Sequence, residues 1–289
     1  MRLGFAGLGV MGAPMAGHLI GAGHEVSGFN RSPEKARAWA DRFGGRFAGT
    51  AAEAANGAEM LILCVGKDED VREVVAQALP TLLPGAVIVD HTTTSAKVAR
   101  EMAALCAASG RHFVDAPVSG GQAGAENGQL SVMAGGDATA FARAEPVLRA
   151  YSKAVTLMGP AGSGQLTKMV NQICIAGVVQ GLAEAMHFTK SAGLDPELVL
   201  AAIGKGAAQS WQMDNRWPTM AENRYDFGFA VDWMRKDLGL VLDEARSNGA
   251  HLALTALVDQ FYSEVQAMGG SRWDTSSLAA RLEDRRRPD

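Results

Sequence analysis

Arg2-Leu3-Gly4-Phe5-Ala6-Gly7-Leu8-Gly9-Val10-Met11-Gly12 opens the chain, and its reading decides the fold of the half that follows. The run 2–6 is a short apolar strand; a glycine-x-glycine-x-x-glycine pattern follows at once, and residues 11–22 read as a helix. In that context the first glycine permits a tight turn, the second lets backbone approach a pyrophosphate, and the third lets helix pack on strand. The helix N-terminus then faces the phosphates. Gly7, Leu8, Gly9, Val10, Met11 and Gly12 are therefore assigned to a dinucleotide.

The second strand, 25–29, ends at Asn30-Arg31-Ser32. An acid at this position would hydrogen-bond the ribose 2′-hydroxyl of NAD, and none is present. Asn30 removes the repulsion of a 2′-phosphate, Arg31 can pair with it through charge-assisted hydrogen bonds, and Ser32 adds a donor. The stretch points to NADP(H) in preference to NAD(H). Ser32 also stands where it would cap a helix beginning at Pro33.

Alternation continues with helices at 33–43 and 51–56, a strand at 60–65, a helix at 68–78, a strand at 86–90, a helix at 95–109 and a strand at 112–115. Such alternation signifies α/β architecture with a parallel doubly wound sheet whose strand carboxyl ends carry the ligand loops. Two of these ends, Cys64-Val65-Gly66 and Asp90-His91-Thr92-Thr93-Thr94-Ser95, are chemically informative, and Thr94 or Ser95 reads as a helix N-cap. Next comes Asp115-Ala116-Pro117-Val118-Ser119-Gly120-Gly121. Here Ser119, Gly120 and Gly121 can present backbone N–H groups to a substrate carboxylate. Strands at 130–134 and 154–158 and a helix at 138–150 complete a first domain.

Gly159-Pro160-Ala161-Gly162 reads as the boundary, giving domains 1–161 and 162–289. Beyond it only helices are expected: one long run from Gly162 to about Gly193, then 196–203, 211–222, 231–248, 251–268 and 276–285. In the long run Lys168, Asn171 and Gln172 share a face, while Ile175, Val178, Val179 and Leu182 make the rest apolar nearly all round. A lysine buried in such a helix needs a partner or a task.

The 289 residues are 47% hydrophobic and 20% charged with a net charge of -4, which leaves no electrostatic footprint for nucleic acid or an anionic membrane. Small-molecule partners are expected. No charged leader with a cleavable apolar region opens the chain, and no apolar stretch reads as free enough of polar residues to span a bilayer, so the cytoplasm is the expected compartment. Cys64, Cys106 and Cys174 lie in apolar segments without CxxC spacing and read as reduced core thiols. With no HExxH pattern among six histidines, no metal is expected. Arg285-Arg286-Arg287 reads as a frayed, solvated tail.

Gly7 through Ala16, Asp115 through Gly121, Gly162 through Asn171, and Lys236-Asp237-Leu238, in this order and spacing, resemble the β-hydroxyacid dehydrogenase family. That family includes 3-hydroxyisobutyrate dehydrogenases, tartronate semialdehyde reductases and glyoxylate/succinic semialdehyde reductases, and is 6-phosphogluconate dehydrogenase-like. The resemblance implies an N-terminal Rossmann domain and a C-terminal all-helical domain joined by the long interdomain helix, with the site in the cleft between. It makes Lys168 the catalytic lysine and Asn171 its neighbour, sets Ser119, Gly120 and Gly121 against the substrate carboxylate, gives Val65, Thr93 and Lys236 to the cofactor, and lines the substrate side with Phe229 and Asp237. It also implies a homodimer or homotetramer. His18, Cys64-Val65-Gly66 and Gln172 depart from the family's usual residues, and Ala207 through Met213 lacks the cysteine-tryptophan-serine run of the valine-pathway enzymes.

The chemistry of the residues agrees. Oxidising a hydroxyl by hydride transfer leaves a proton to remove, and the reverse reduction must supply one. A lysine in an apolar cleft has its charged form disfavoured, which brings it toward the range of roughly 7–8 useful for acid–base work. Lys168 suits that task, with Asn171 fixing geometry one turn on. The alternatives are an imine reductase on the same scaffold, which typically carries another residue at position 168, and a nucleotide-binding scaffold without turnover.

Overall fold

The computed structural model describes residues 1–284; the Arg285-Arg286-Arg287 tail lies outside the described residues. The chain divides into two compact units, Met1–Lys168 and Met169–Asp289.

In the first unit the elements run β1 (Arg2–Ala6), α1 (Gly12–Gly21), β2 (Glu25–Phe29), α2 (Pro33–Phe43), β3 (Arg46–Phe47), α3 (Ala51–Ala55), β4 (Met60–Leu63), α4 (Asp68–Ala78), β5 (Val87–Asp90), α5 (Ala96–Ala108), β6 (His112–Asp115), β7 (Val118–Ser119), α6 (Gly121–Glu126), β8 (Leu130–Gly136), α7 (Ala138–Leu148) and β9 (Ser152–Gly159). One sheet holds all nine strands in the order β3-β2-β1-β4-β5-β6-β8-β7, with β9 paired to β8. The chain steps outward from β1 in both directions, which makes the β1/β4 border the switch point where a doubly wound sheet binds its ligand. Successive residues of the central strands point to opposite faces. Leu3, Phe5, Ile62 and Val89 meet Met15, Leu19, Trp39 and Ala140 on one face. Leu61, Leu63 and Ile88 meet Val71, Val75, Val98 and Met102 on the other. Both faces are covered, as a parallel sheet requires.

The doubly wound sheet is parallel through β6 and becomes mixed beyond it. Pairing is parallel from β3 to β6, but β8 runs antiparallel to β6 and β7, which lie along it in a single register from Val114↔Gly136 to Ser119↔Ser131. Only residues 120–129 separate β7 from β8, too few for the crossover of a dozen or more residues that a parallel return needs. The glycine-rich stretch, given no strand or helix from the sequence, thus contains β7 and the short helix α6. The fourth strand also stops at Leu63, which leaves Cys64-Val65-Gly66 as loop.

α8 (Ser163–Ser191) begins in the first unit and continues into the second, followed by α9 (Pro196–Ile203), α10 (Trp211–Ala221), α11 (Val231–Asn248), α12 (Ala253–Ala267), a single 3-10 turn at Thr275–Ser277 and α13 (Leu278–Asp284). Ala176, Val179, Ala183 and Met186 of α8, at helical three-to-four spacing, pack with Met213, Trp217, Met234, Leu238, Val258 and Tyr262. Burial follows that side of the helix, with Leu182, Gln180 and Thr189 buried beside the stripe. Val170 is 60% exposed and Phe188 69%, so the helix is apolar nearly all round without being buried all round. The same geometry corrects the thiol reading: Cys106 is buried and Cys64 half-buried, but Cys174 is exposed. α8 is also long and apolar enough, by length and composition alone, to cross a membrane, a criterion that the core helix of a soluble protein meets as well. The contrary expectation is corrected because Lys168, Glu184 and Lys190 are spread thinly along its 29 residues.

Candidate functional site

The glycine loop follows β1 directly. Gly7 has φ +101° and donates its N–H to Phe29 O at 2.9 Å. A Cβ there would lie 2.1 Å from Cys64 O, and one at Gly12 would lie 1.9 Å from Gly7 O. Packing alone therefore demands these two glycines. Gly9 is different: it is exposed, and no protein atom lies within 4 Å of the position its Cβ would take. No carbonyl among the described residues accepts the N–H groups of Gly9, Val10 or Met11, which stand at the N-terminus of α1. An open glycine beside unclaimed N–H donors at a helix start fits a pyrophosphate.

At the end of β2, Asn30 Oδ1 accepts the Leu8 N–H at 3.0 Å and its Nδ2 donates to Ser32 O at 3.2 Å, so Asn30 braces the glycine loop. Arg31 projects with its side chain 88% exposed and reaches Asp70 Oδ1 at 3.4 Å. Asp70 Oδ2 also accepts the Gly66 N–H. Ser32 occupies the N-cap of α2 with Pro33 behind it, but its side chain makes no capping bond, which corrects that detail of the sequence reading.

The ends of β4 and β5 are joined by Val65 N–H donating to Thr92 Oγ1 at 3.0 Å. Asp90, fully buried, accepts the Thr92 N–H through Oδ1 at 2.9 Å; burial pushes its carboxyl up to about 7, with the charge of Asp115 adding to the effect. His91 sits between Ala116 O at 2.5 Å from Nδ1 and the Tyr151 hydroxyl at 2.8 Å from Nε2. A carbonyl only accepts, so Nδ1 carries the proton and Nε2 accepts from Tyr151. Burial holds His91 down to about 4, which keeps it neutral near pH 7. Ser95 caps α5 by accepting the Val98 N–H, and Thr93 is half-buried between Thr92 and Thr94.

Ser119 ends β7 opposite Ser131. Gly120 and Gly121, with φ of +130° and +61°, turn the chain into α6. His18 Nε2 donates to Ala125 O at 3.1 Å and Glu126 O at 3.0 Å. It therefore ties the glycine-loop helix α1 to the carboxyl end of the helix that begins at Gly121, which gives this departure from the family pattern a physical role.

Two residues without a role in the sequence reading anchor the start of α8. Asp115, buried, accepts the N–H groups of Gly162 at 2.7 Å and Gln165 at 3.0 Å. Burial raises its carboxyl, and these backbone donors oppose the rise. Gln165, buried, donates Nε2–H to Thr92 O at 2.7 Å and accepts the Thr94 N–H at 3.0 Å. Lys168, 8% exposed, follows one turn later. The available signal was a glutamine in the first turn of an otherwise apolar helix, which needs partners as much as the lysine does.

In the second unit Asn171, Lys236 and Asp237 form one network, with Gln172 as the link. Asn171 Nδ2 donates to Gln172 Oε1 at 2.8 Å, and Gln172 Nε2 to Asp237 Oδ2 at 2.7 Å. Lys236 Nζ pairs with Asp237 Oδ1 at 3.2 Å and lies 5.7 Å from the Trp233 ring centroid. Phe229, 38% exposed, is fixed separately. Its N–H donates to Asp274 Oδ2 at 3.0 Å, and Asp274 Oδ1 is held by Arg216 at 2.9 Å.

The first unit carries the family pattern described as the NAD binding domain of 6-phosphogluconate dehydrogenase, matched over residues 2–159. Residues 162–282 match the NAD-binding domain of NADP-dependent 3-hydroxyisobutyrate dehydrogenase. Over 288 residues the chain is 61% identical to an uncharacterized oxidoreductase of Shewanella frigidimarina (strain NCIMB 400), with 99% of each chain covered. The chain belongs to the β-hydroxyacid dehydrogenase family. Within that family it is 34% identical over 289 residues to the 2-hydroxy-3-oxopropionate reductase of Escherichia coli (strain K12), covering 98% of this chain and 97% of the other. A solved structure of Mycobacterium tuberculosis 3-hydroxyisobutyrate dehydrogenase with L-serine superimposes with a TM-score of 0.89 at 33% identity, covering 99% of both chains. This β-hydroxyacid dehydrogenase is an NAD(P)-dependent oxidoreductase of small molecules.

Proposed function

We propose that this β-hydroxyacid dehydrogenase interconverts a small semialdehyde acid and its β-hydroxyacid, using NADP(H) in preference to NAD(H) and Lys168 as general acid/base. The observation that carries the proposal is a lysine, 8% exposed, set in the first turns of α8 one turn after a glutamine held by the Thr92–Thr94 backbone. The cofactor supplies or takes the hydride at the carbonyl carbon. In the reductive direction Lys168 Nζ gives a proton to the forming alkoxide, and in the oxidative direction it takes the hydroxyl proton. Asn171, its amide oriented by Gln172, fixes geometry beside the reacting oxygen.

The remaining roles are proposed on the same footing. Gly7, Leu8, Gly9, Val10, Met11 and Gly12 cradle the pyrophosphate; Asn30, Arg31 and Ser32 receive the 2′-phosphate; Val65, Thr93 and Lys236 touch the cofactor. Ser119, Gly120 and Gly121 hold the substrate carboxylate, and Phe229 and Asp237 line the substrate. Residues 1–161 form the NADP-binding domain and 162–289 the helical domain of a cytoplasmic homodimer or homotetramer. Support for the substrate class comes from the L-serine bound to the M. tuberculosis relative, itself a β-hydroxyacid, and from the 2-hydroxy-3-oxopropionate reductase of E. coli. The NADP-dependent family matched by residues 162–282 supports the cofactor.

A panel of semialdehyde acids, glyoxylate, 3-hydroxyacids and serine with both nicotinamide cofactors tests the proposal, with each acid run against its methyl ester. Acids should exceed esters in kcat/KM by the loss of charge-assisted hydrogen bonds, about 1.5–3 kcal/mol each. Equal rates for acid and ester would remove the carboxylate site, and turnover of imines alone would replace the reaction.

A further inference from the structure

We infer that Gln165 is a positioning residue for proton transfer: its carboxamide registers the Lys168 turn of α8 against the loop that carries Thr93. The inference rests on the general acid/base reading of Lys168 and adds to it the device that sets where the amine is delivered.

Gln165 is 0% exposed, and both ends of its side chain are spent on backbone. Nε2 donates to Thr92 O at 2.7 Å, and Oε1 accepts from the Thr94 N–H at 3.0 Å. The two bonds bracket Thr93. Thr92 is also held by its neighbours, its N–H by Asp90 Oδ1 and its hydroxyl oxygen by the Val65 N–H. One carboxamide therefore connects the Val65 loop, the Thr93 loop and the first turn of α8.

That turn has little freedom of its own. A helix start leaves its first N–H groups without helical partners, and here Asp115 spends both oxygens on them, at Gly162 and Gln165. The backbone beside Asp115 is at contact. A Cβ at Gly164 would lie 2.4 Å from Met133 O and 2.7 Å from Asp115 O, and one at Gly135 would lie 2.7 Å from both Asp115 Oδ1 and Gly164 N. The turn is thus pinned along its axis by Asp115 and in rotation by Gln165. Lys168, three residues on, lies on the same helical face as Gln165, so a rotation that Gln165 fails to prevent is passed directly to the amine. Gln165 touches no reacting atom; it acts through the helix.

The test uses the intact enzyme and two substitutions. Gln165→Met keeps the volume and removes both bonds. Gln165→Glu keeps the acceptor for Thr94 but, when ionised, sets a carboxylate oxygen against Thr92 O; once protonated it again offers one donor and one acceptor, as glutamine does. For each, kcat at saturating NADPH and substrate is measured per folded molecule, together with substrate KM, across pH, with Lys168→Ala in parallel. Gln165→Met is expected to lose on the order of 10²-fold in kcat, the scale of a misplacement of about 1 Å, with a much smaller change in KM. The activity of Gln165→Glu relative to wild type is expected to rise as pH falls. A purely structural glutamine would lower the folded fraction and leave kcat per folded molecule unchanged. That result, with Lys168→Ala inactive, overturns the inference and leaves the function standing. Full kcat in Lys168→Ala overturns the acid/base reading and the inference with it. Should Gln165→Met fail to fold, the pH series of Gln165→Glu decides alone, and a ratio independent of pH counts against the inference.

Discussion

Gln172 Nε2 donates to Asp237 Oδ2 at 2.7 Å while its own Oε1 accepts from Asn171, so one side chain orients two residues assigned to the site. Asp237 is 2% exposed, and removing a donor from a buried carboxylate costs about 1–3 kcal/mol. Gln172→Leu should lower the urea midpoint by an amount in that range with the slope of the transition unchanged, and kcat should fall with it as the Asn171 amide loses its anchor. Unchanged stability and unchanged kcat would show that the network orients nothing.

The three glycines of the cofactor loop should separate under substitution. Gly7→Ala places Cβ 2.1 Å from Cys64 O and Gly12→Ala places it 1.9 Å from Gly7 O, whereas Gly9→Ala meets no protein atom within 4 Å. Gly7→Ala and Gly12→Ala should therefore lower Tm, while Gly9→Ala should leave stability within about 0.5 kcal/mol and weaken cofactor binding, since its new methyl occupies the approach to the pyrophosphate. Thermal unfolding and NADPH titration of the three variants check this. A Gly9→Ala protein that binds cofactor normally would contradict the assignment.

The contrast among these glycines also marks what the sequence could and could not disclose. Strand, glycine turn and helix were legible in residues 2–22 because apolar periodicity and glycine spacing are local properties. The ends of β4 and β5 were equally visible as loops at strand carboxyl ends. The reversal of β8 was not, because strand direction depends on how the short segment 120–129 closes, and no periodicity records it. Gln165, Asp115 and Gln172 were missed as working residues for a related reason. Their roles come from partners at sequence separations such as Gln165–Thr92 and Gln172–Asp237, which only the fold brings within hydrogen-bonding distance. The exposed face of α8 is a third case: hydrophobicity reported what Val170 and Phe188 are made of, not what covers them.

Stability should depend on pH through two adjacent buried groups acting in opposite senses. Asp90 is raised from 3.8 to about 7, so its contribution is full below pH 3.8 and is lost as pH rises through 7. His91 is lowered from 6.5 to about 4, so its contribution is full above pH 6.5 and is lost as pH falls toward 4. Across the shared window the two offset each other. Asp90→Asn removes one side of the balance: it should gain stability over wild type at pH 8, lose that advantage by pH 4, and show a steeper decline on the acid side. Urea midpoints at pH 4, 6 and 8 measure this, and an advantage independent of pH would contradict it.

Cofactor preference should follow Arg31. Its contact with Asp70 at 3.4 Å joins a side chain 88% exposed to one 17% exposed, and a pair exposed on one side contributes little, about 0–1 kcal/mol, so the guanidinium is readily recruited by a 2′-phosphate. Asp at position 30 could still accept the Leu8 N–H as Asn30 does. Exchanging Asn30→Asp together with Arg31→Leu should therefore leave the loop in place and reduce kcat/KM for NADPH more than for NADH. A wild-type enzyme that favours NADH would overturn the preference whatever the double variant does.

The most direct test of the whole account is Lys168→Ala, measured for turnover and for NADPH affinity in the same preparation. The phosphates are assigned to the glycine loop after β1 and the proton to Lys168, so kcat should fall by about 10²–10⁴-fold while NADPH affinity changes little. Lys168→Arg should not restore turnover, because a guanidinium is effectively always protonated. Retention of most of the wild-type kcat by Lys168→Ala would contradict the account.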